Sequence, residues 1–271
     1  MLTPRLLGPA DIDAAMRLKE AANWNQTPDD WVNVMRFSPE GCFGIDVNGT
    51  LAATATNVCF GDRLAWIGMV LTLPEHRGKG LARRLMEHSV EWVQSRGVDW
   101  IKLDATDMGR PLYARLGFED ECAIERWGRV ADAPLVEGVG AFATGPVPYD
   151  LDAQAVGADR RGLLDILAPM GAAVLPGGYA MGRAGSRASY FGPCVARDAG
   201  TAKELLRWHL SRFPGQTAYW DILEGNAAAR EIARECGFAP LRRLIRMAIP
   251  GRRALGQDDA LAFGIAGFEY G

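Results

Sequence analysis

The sequence predicts an α/β protein of two successive lobes, each a mixed, mostly antiparallel sheet flanked by helices, with the second lobe a degenerate copy of the first. Three observations lead there. Residues 66–91, WIGMVLTLPEHRGKGLARRLMEHSVE, pass from an apolar, β-branched segment through a basic glycine loop into a helically periodic stretch. Asn48-Gly49 lies between two alternating segments, a strong two-residue hairpin signal. Setting Gly117-Phe118 over Gly237-Phe238 aligns Thr106 with Asn226, a helix-cap residue type in both copies.

The elements follow in order. Asp11 or Asp13 opens a first helix through Ala22, with Ile12, Ala15, Met16 and Lys19 at helical spacing. Thr27-Pro28-Asp29-Asp30 starts a second, with Thr27 as cap, proline at the first helical position and acids in the first turn. Residues 42–47 and 51–58 pair around Asn48-Gly49, and Gly61-Asp62 turns into the strand at Trp66, giving a three-stranded meander. A helix from Leu81 buries Leu81, Leu85, Trp92 and Val93 and stops at Gly97. A strand at 100–104 is expected parallel to residues 70–73, because a strand-helix-strand crossover requires a parallel partner. A short helix at 110–116 ends at Gly117, and residues 122–127 are expected to close the sheet. Residues 131–150 read as a connector rich in Ala, Gly, Pro and Val. Beyond it come strands at 179–183 and 188–196, a helix at 200–212, a strand at 218–222 and a helix at 226–236.

Composition narrows the function. A chain of 271 residues, 48% hydrophobic, can bury a sizeable core. Its formal net charge of −3 predicts no bulk attraction to nucleic acid or membranes. No apolar run approaches spanning length and no signal-peptide core is visible, so a cytoplasmic setting is expected. The five cysteines are scattered without a CxxC pair, and the three histidines are dispersed, so no metal site is expected.

The glycine loop is the chemical feature. Gly78 and Gly80 allow close backbone approach, and the helix after them leaves several N–H groups unpaired at its start. Arg77, Lys79, Arg83 and Arg84 surround that start, where cations disfavour the helix itself. A bound polyanion accounts for them; a solvated basic turn is the plainer alternative for the loop taken alone. The spacing matches neither GxxxxGK[ST] nor GxGxxG with a downstream acid.

What the loop does match, Arg77-x-x-Gly80-x-Ala82 after Val70-Leu71-Thr72-Leu73-Pro74, resembles the acyl-CoA loop of the GCN5-related N-acetyltransferase (GNAT) superfamily. A second match, LDATDMGRPLYARLGF at 103–118, follows at the family's distance. The resemblance implies acetyl-CoA as acyl donor, with its pyrophosphate on the loop formed by Arg77, Gly78, Lys79, Gly80, Leu81, Ala82 and Arg83. Its pantetheine would lie along Val70, Leu71 and Thr72. The resemblance makes Tyr113 the acid beside the thioester sulfur, where an isolated tyrosine on a short helix would be a core aromatic. Many members carry Asn where this chain has Thr106. Trp24, Asn25 and Gln26 fall on the helix-helix loop that lines the acceptor side in the family. Asp104 is the named candidate base, although a strand-terminal Asp is equally a turn cap.

The second copy has Ala233 opposite Tyr113, and Asp198-Ala-Gly-Thr-Ala-Lys replaces the loop motif. Together with NWNQ and the ending from Arg246-Met247 to Ala266-Gly267-Phe268-Glu269, this resembles a two-lobed subgroup that includes the holothin acyltransferase. The resemblance implies a catalytic GNAT domain at 1–130, a connector at 131–150, and a degenerate GNAT-like domain at 151–271 covering the acceptor site. The expected reaction is direct acyl transfer to a primary amine of a small molecule, without metal. An acyl-CoA sensor without turnover and an acetyltransferase for protein amines are the other two readings.

Overall fold

A computed structural model describes residues 2–131 and 145–271, so residues 132–144 of the expected connector lie outside the described residues. The chain forms two compact units, one of Met1–Asp120, Met247–Ala254 and Phe268–Gly271, the other of Glu121–Arg246 and Leu255–Gly267.

In the first unit, the strand order is β1 (Arg5–Leu6), β2 (Cys42–Val47), β3 (Thr50–Phe60), β4 (Leu64–Thr72) and β5 (Trp100–Ala105). The antiparallel meander is as the sequence predicts, with Asn48 and Gly49 both at positive φ in its first turn. Helix α1 (Ile12–Ala21) precedes α2 (Pro28–Phe37), whose start is the anticipated capping box. Thr27 accepts from the Asp30 N–H, and Asp30 accepts from the Thr27 N–H. Helix α3 (Leu81–Ser95) packs Leu81 and Leu85 against Phe43, Ile45, Ala53 and Ala55. Helix α4 (Arg110–Arg115) follows β5.

Two expectations need correction. Strand β5 does pair in parallel with β4, but at Leu64–Trp66 against Trp100–Lys102 and not beside residues 70–73. The cause is a β-bulge in β4. The register with β3 shifts between Thr54 and Thr56, Met69 adopts φ 45°, and the Thr54 hydroxyl donates to the Met69 carbonyl at 2.9 Å. Nor does the segment at 122–127 close the first sheet. It lies in β6 (Glu119–Arg129), which pairs antiparallel with β10 (Ala218–Leu223) of the second unit, and the buried Arg126–Asp221 ion pair bridges that ladder.

The second unit orders β11 (Ala239–Ile249, its last three residues assigned to the first unit), β6, β10, β9 (Ser189–Ala196), β8 (Gly178–Arg183) and β7 (Ala172–Leu175), with β12 (Ala262–Gly264) on β9. Helices α5 (Tyr149–Val156), α6 (Arg161–Leu167), α7 (Ala199–Arg212) and α8 (Ala227–Glu235) flank it. Helix α5 begins inside the expected connector. The core stacks Phe191, Trp220 and Phe238 edge to face, with centroids 5.3 and 5.8 Å apart.

His209 of α7 is fully buried, its Nε2 3.1 Å from the Ser189 hydroxyl. Burial, reinforced by the charges of Arg212 and Arg183, lowers its imidazole to about 3. An unfolded histidine titrates at about 6.5, so between these values the unfolded chain binds the extra proton. The stability is therefore intact above about 6.5 and is lost toward pH 3, by roughly 1.4 kcal/mol per pH unit. Calorimetric unfolding over this window should give a pH slope for His209→Gln that is smaller than the wild type's by about that amount.

Candidate active site

The turn after β4 passes through a 3-10 turn (Pro74–His76) to Gly78 at φ 72° and Gly80 at φ 80°. These left-handed conformations suit glycine, and Gly80 stands at the N-cap of α3 with no side chain to accept its N–H groups. Leu81, Ala82 and Arg83 thus begin the helix without intrahelical acceptors for their amides. Arg77, Lys79, Arg83 and Arg84 are all exposed around this opening. Arg77 donates to the Thr72 carbonyl at 3.3 Å and Arg83 pairs with Glu87 at 2.8 Å, whereas Lys79 and Arg84 take no partner among the described residues. An uncapped helix start with exposed cations fits a phosphorylated ligand.

The second unit offers a contrast at the corresponding helix. Asp198 caps α7, its carboxylate accepting from the Thr201 N–H at 2.8 Å and the Thr201 hydroxyl at 2.9 Å. Those hydrogen bonds, the backbone one foremost, hold its carboxyl below the usual range. A carboxylate thus fills at α7 the position that Gly80 leaves open at the start of α3. Ala233, opposite Tyr113 in the repeat, is buried core.

Beside the loop, β4 runs on through Val70, Leu71 and Thr72 after its ladder with β5 has ended at Trp66. Val70 and Thr72 are half-buried and Leu71 is buried. The bulge at Met69 separates this stretch from the regular strand. Asp104, half-buried, is the penultimate residue of β5. Thr106 accepts from the Gly109 N–H at 3.3 Å, so it caps the turn into α4 and not the helix itself.

Tyr113 on α4 is buried, and its phenol is pushed up to about 12 by that burial. Its ring lies 6.3 Å from Phe118, and its hydroxyl takes no hydrogen-bond partner among the described residues. A Cβ added at Gly109 would meet the tyrosine ring at 2.7 Å and its hydroxyl at 3.1 Å. Gly109→Ala should therefore push the Tyr113 ring out of its buried seat and destabilise the fold by about 1–3 kcal/mol, the usual cost of overpacking. Thermal unfolding of the two proteins side by side checks this.

Asn25 and Gln26 are buried on the α1–α2 loop, while Trp24 is half-buried with its N–H on the Lys19 carbonyl at 3.2 Å. The sequence reading missed their surroundings. Gln26 donates through Nε2 to Glu269 Oε2 at 3.0 Å, the Trp66 indole donates to the Phe268 carbonyl at 3.2 Å, and the Tyr270 hydroxyl donates to the Asp30 carbonyl at 3.3 Å. Residues Phe268–Gly271 thereby cover the β4 face. No local pattern announces a contact between residues 243 positions apart.

An open helix start ringed by cations, following a strand whose parallel ladder has ended, is an arrangement by which an α/β protein takes a phosphorylated ligand. Residues 13–118 match the acetyltransferase (GNAT) family, and residues 149–263 match an acetyltransferase (GNAT) domain. The chain therefore belongs to the GNAT family of N-acetyltransferases and holds two of its domains in tandem. Over 48 residues it is 40% identical to the streptothricin acetyltransferase of Streptomyces lavendulae, a match that covers 17% of this chain and spans a quarter of that protein's length, 25%. Its fold is similar to a crystal structure of a putative acetyltransferase from Pyrococcus horikoshii, with TM-score 0.88 and 20% identity over 100% of this chain and 96% of that one. It is also similar to a tandem GNAT protein from the clavulanic acid biosynthesis pathway, with TM-score 0.63 and 16% identity over 94% and 100% of the two chains. Among the described residues no cluster of His, Cys, Asp or Glu could hold a metal ion, and no helix is long and apolar enough to cross a membrane.

Proposed function

We propose that the first unit transfers an acetyl group from acetyl-CoA directly to a primary amine of a small molecule in the cytoplasm. The observation that carries this reading is the uncapped α3 start, which follows the stretch of β4 beyond its ladder with β5. The donor, when bound, supplies an acetyl group activated as a thioester.

The residues divide the work. The N–H groups from Gly78 to Arg83, with Arg77 and Lys79 nearby, hold the phosphates. Val70, Leu71 and Thr72 offer a strand edge for the pantetheine amides, and a backbone N–H near Leu71 polarises the thioester carbonyl. Tyr113 donates to the departing sulfur. Trp24, Asn25 and Gln26 contact the acceptor. Asp104, half-buried near the β5 end, is the candidate base that the sequence names. Phe268–Gly271 close the β4 face, which favours a compact acceptor over a polypeptide, and the partial likeness to the streptothricin acetyltransferase points the same way. In the second unit, the Asp198 cap and Ala233 leave no equivalent chemistry.

The test is release of CoASH from acetyl-CoA by the full chain, with and without a panel of amino acids, diamines, amino sugars and peptides. Release driven by one small amine supports the reading. Tight acetyl-CoA binding with no amine-dependent release indicates a sensor, and release driven only by peptides indicates a protein substrate.

A further inference from the structure

Resting on that reading, we propose that Glu269, together with Gln26, receives the acceptor as an ammonium ion and takes its proton, so the substrate is a cationic primary alkylamine. Glu269 is 2% exposed, and its carboxylate is held by the Gln26 amide at 3.0 Å. Its backbone rests against β4. A Cβ at Gly68 would lie 2.8 Å from the Glu269 Cα, which places the residue just past the point where β5 stops pairing.

Two further polar atoms belong to the same region. Gln26 is 8% exposed, and its Oε1 is buried with no hydrogen-bond partner. Thr56, the register partner of Gly68 on β3, is fully buried, and its hydroxyl also lacks a partner. Buried polar groups are ordinarily satisfied, so an orphan carbonyl oxygen calls for a donor. A carboxylate, an amide oxygen and a hydroxyl together match a group with three N–H donors and a positive charge, which is an ammonium.

The step balances. Glu269 takes one proton from the ammonium, and the free amine forms the C–N bond to the acetyl carbon. As the C–S bond breaks, the sulfur takes the Tyr113 proton. The second amine proton leaves through water, which reprotonates Tyr113. Glu269 then returns its proton to solvent, so each turnover yields amide, CoASH and one proton.

The experiment compares two acceptor classes at one pH with the full chain, namely alkylamines that are cationic there, and hydrazides and O-alkyl hydroxylamines that are neutral. Glu269→Gln should lower kcat/KM by about a hundredfold for the cationic class and by less than about tenfold for the neutral class, because only the first needs a proton removed. Glu269→Asp should restore part of the loss, and acetyl-CoA affinity should hold throughout. Gln26→Leu should raise KM for the cationic class alone, and it decides the same comparison if Glu269→Gln does not fold. Equal losses on both classes overturn the proposal and leave acetyl transfer standing. Absence of amine-dependent release in the wild type overturns both.

Discussion

Replacing Tyr113 with phenylalanine is expected to lower kcat for acetyl transfer by about a hundredfold, the lower end of what a positioned acid contributes, while acetyl-CoA affinity should stay within about twofold. The phenol is the only polar atom removed. Burial raises its pKa from the ordinary value to about 12, so it is protonated throughout the working pH range and always available as a donor. The same shift makes it a weaker acid than an exposed tyrosine. Its benefit should come late, as negative charge collects on sulfur, and a leaving thiol of lower pKa should therefore depend on it less. Stopped-flow turnover with acetyl-CoA and with a more acidic aryl thioester measures both effects. A variant that keeps full kcat would make Tyr113 a core aromatic.

Gly80→Asp should weaken acetyl-CoA binding by more than about a hundredfold with little change in fold stability. At φ 80° and ψ 7° the residue is left-handed, a conformation that Asp tolerates better than most residues, and nothing lies within 4 Å of an added Cβ. The cost to stability is roughly 1 kcal/mol, the usual penalty for leaving glycine there. The carboxylate, however, would satisfy the open amides of α3 itself and repel the phosphates from them. It would turn the loop into what Asp198 already makes of α7. Titration calorimetry beside thermal unfolding separates the two effects, and equal affinity for wild type and variant would move the phosphates away from this helix.

Much of the first unit can be read directly from its residues because its determinants are local. The Thr27 cap with Pro28, the Asn48-Gly49 turn and the Leu81–Leu85 stripe each act within a few positions, and the elements lie within a residue or two of where those signals put them. The loop glycines are legible for the same reason. Three features are not local. The bulge at Met69 depends on a hydrogen bond from Thr54, fifteen positions away. The partner of β6 is chosen by a ladder to residues about a hundred positions later, sealed by Arg126 and Asp221. The Gln26–Glu269 contact depends on packing around Gly68 and Trp66. Periodicity has no access to such pairings, and so sequence position suggests Asp104 as a base, whereas Glu269, our proposed proton acceptor, emerges only from the packing.

That the first unit takes in Met247–Ala254 and Phe268–Gly271 has a consequence for biosynthesis. A ribosome adding about 5–20 residues per second needs on the order of ten seconds between finishing residue 120 and delivering residue 268. Through that interval Trp66, Gly68 and Gln26 await the segment that covers them, and the nascent unit exposes apolar surface that a chaperone would recognise. Long-range closure of this kind also slows refolding in vitro. A fragment cut at residue 130 would remain in that unfinished state, because the first unit is completed only by Met247–Ala254 and Phe268–Gly271.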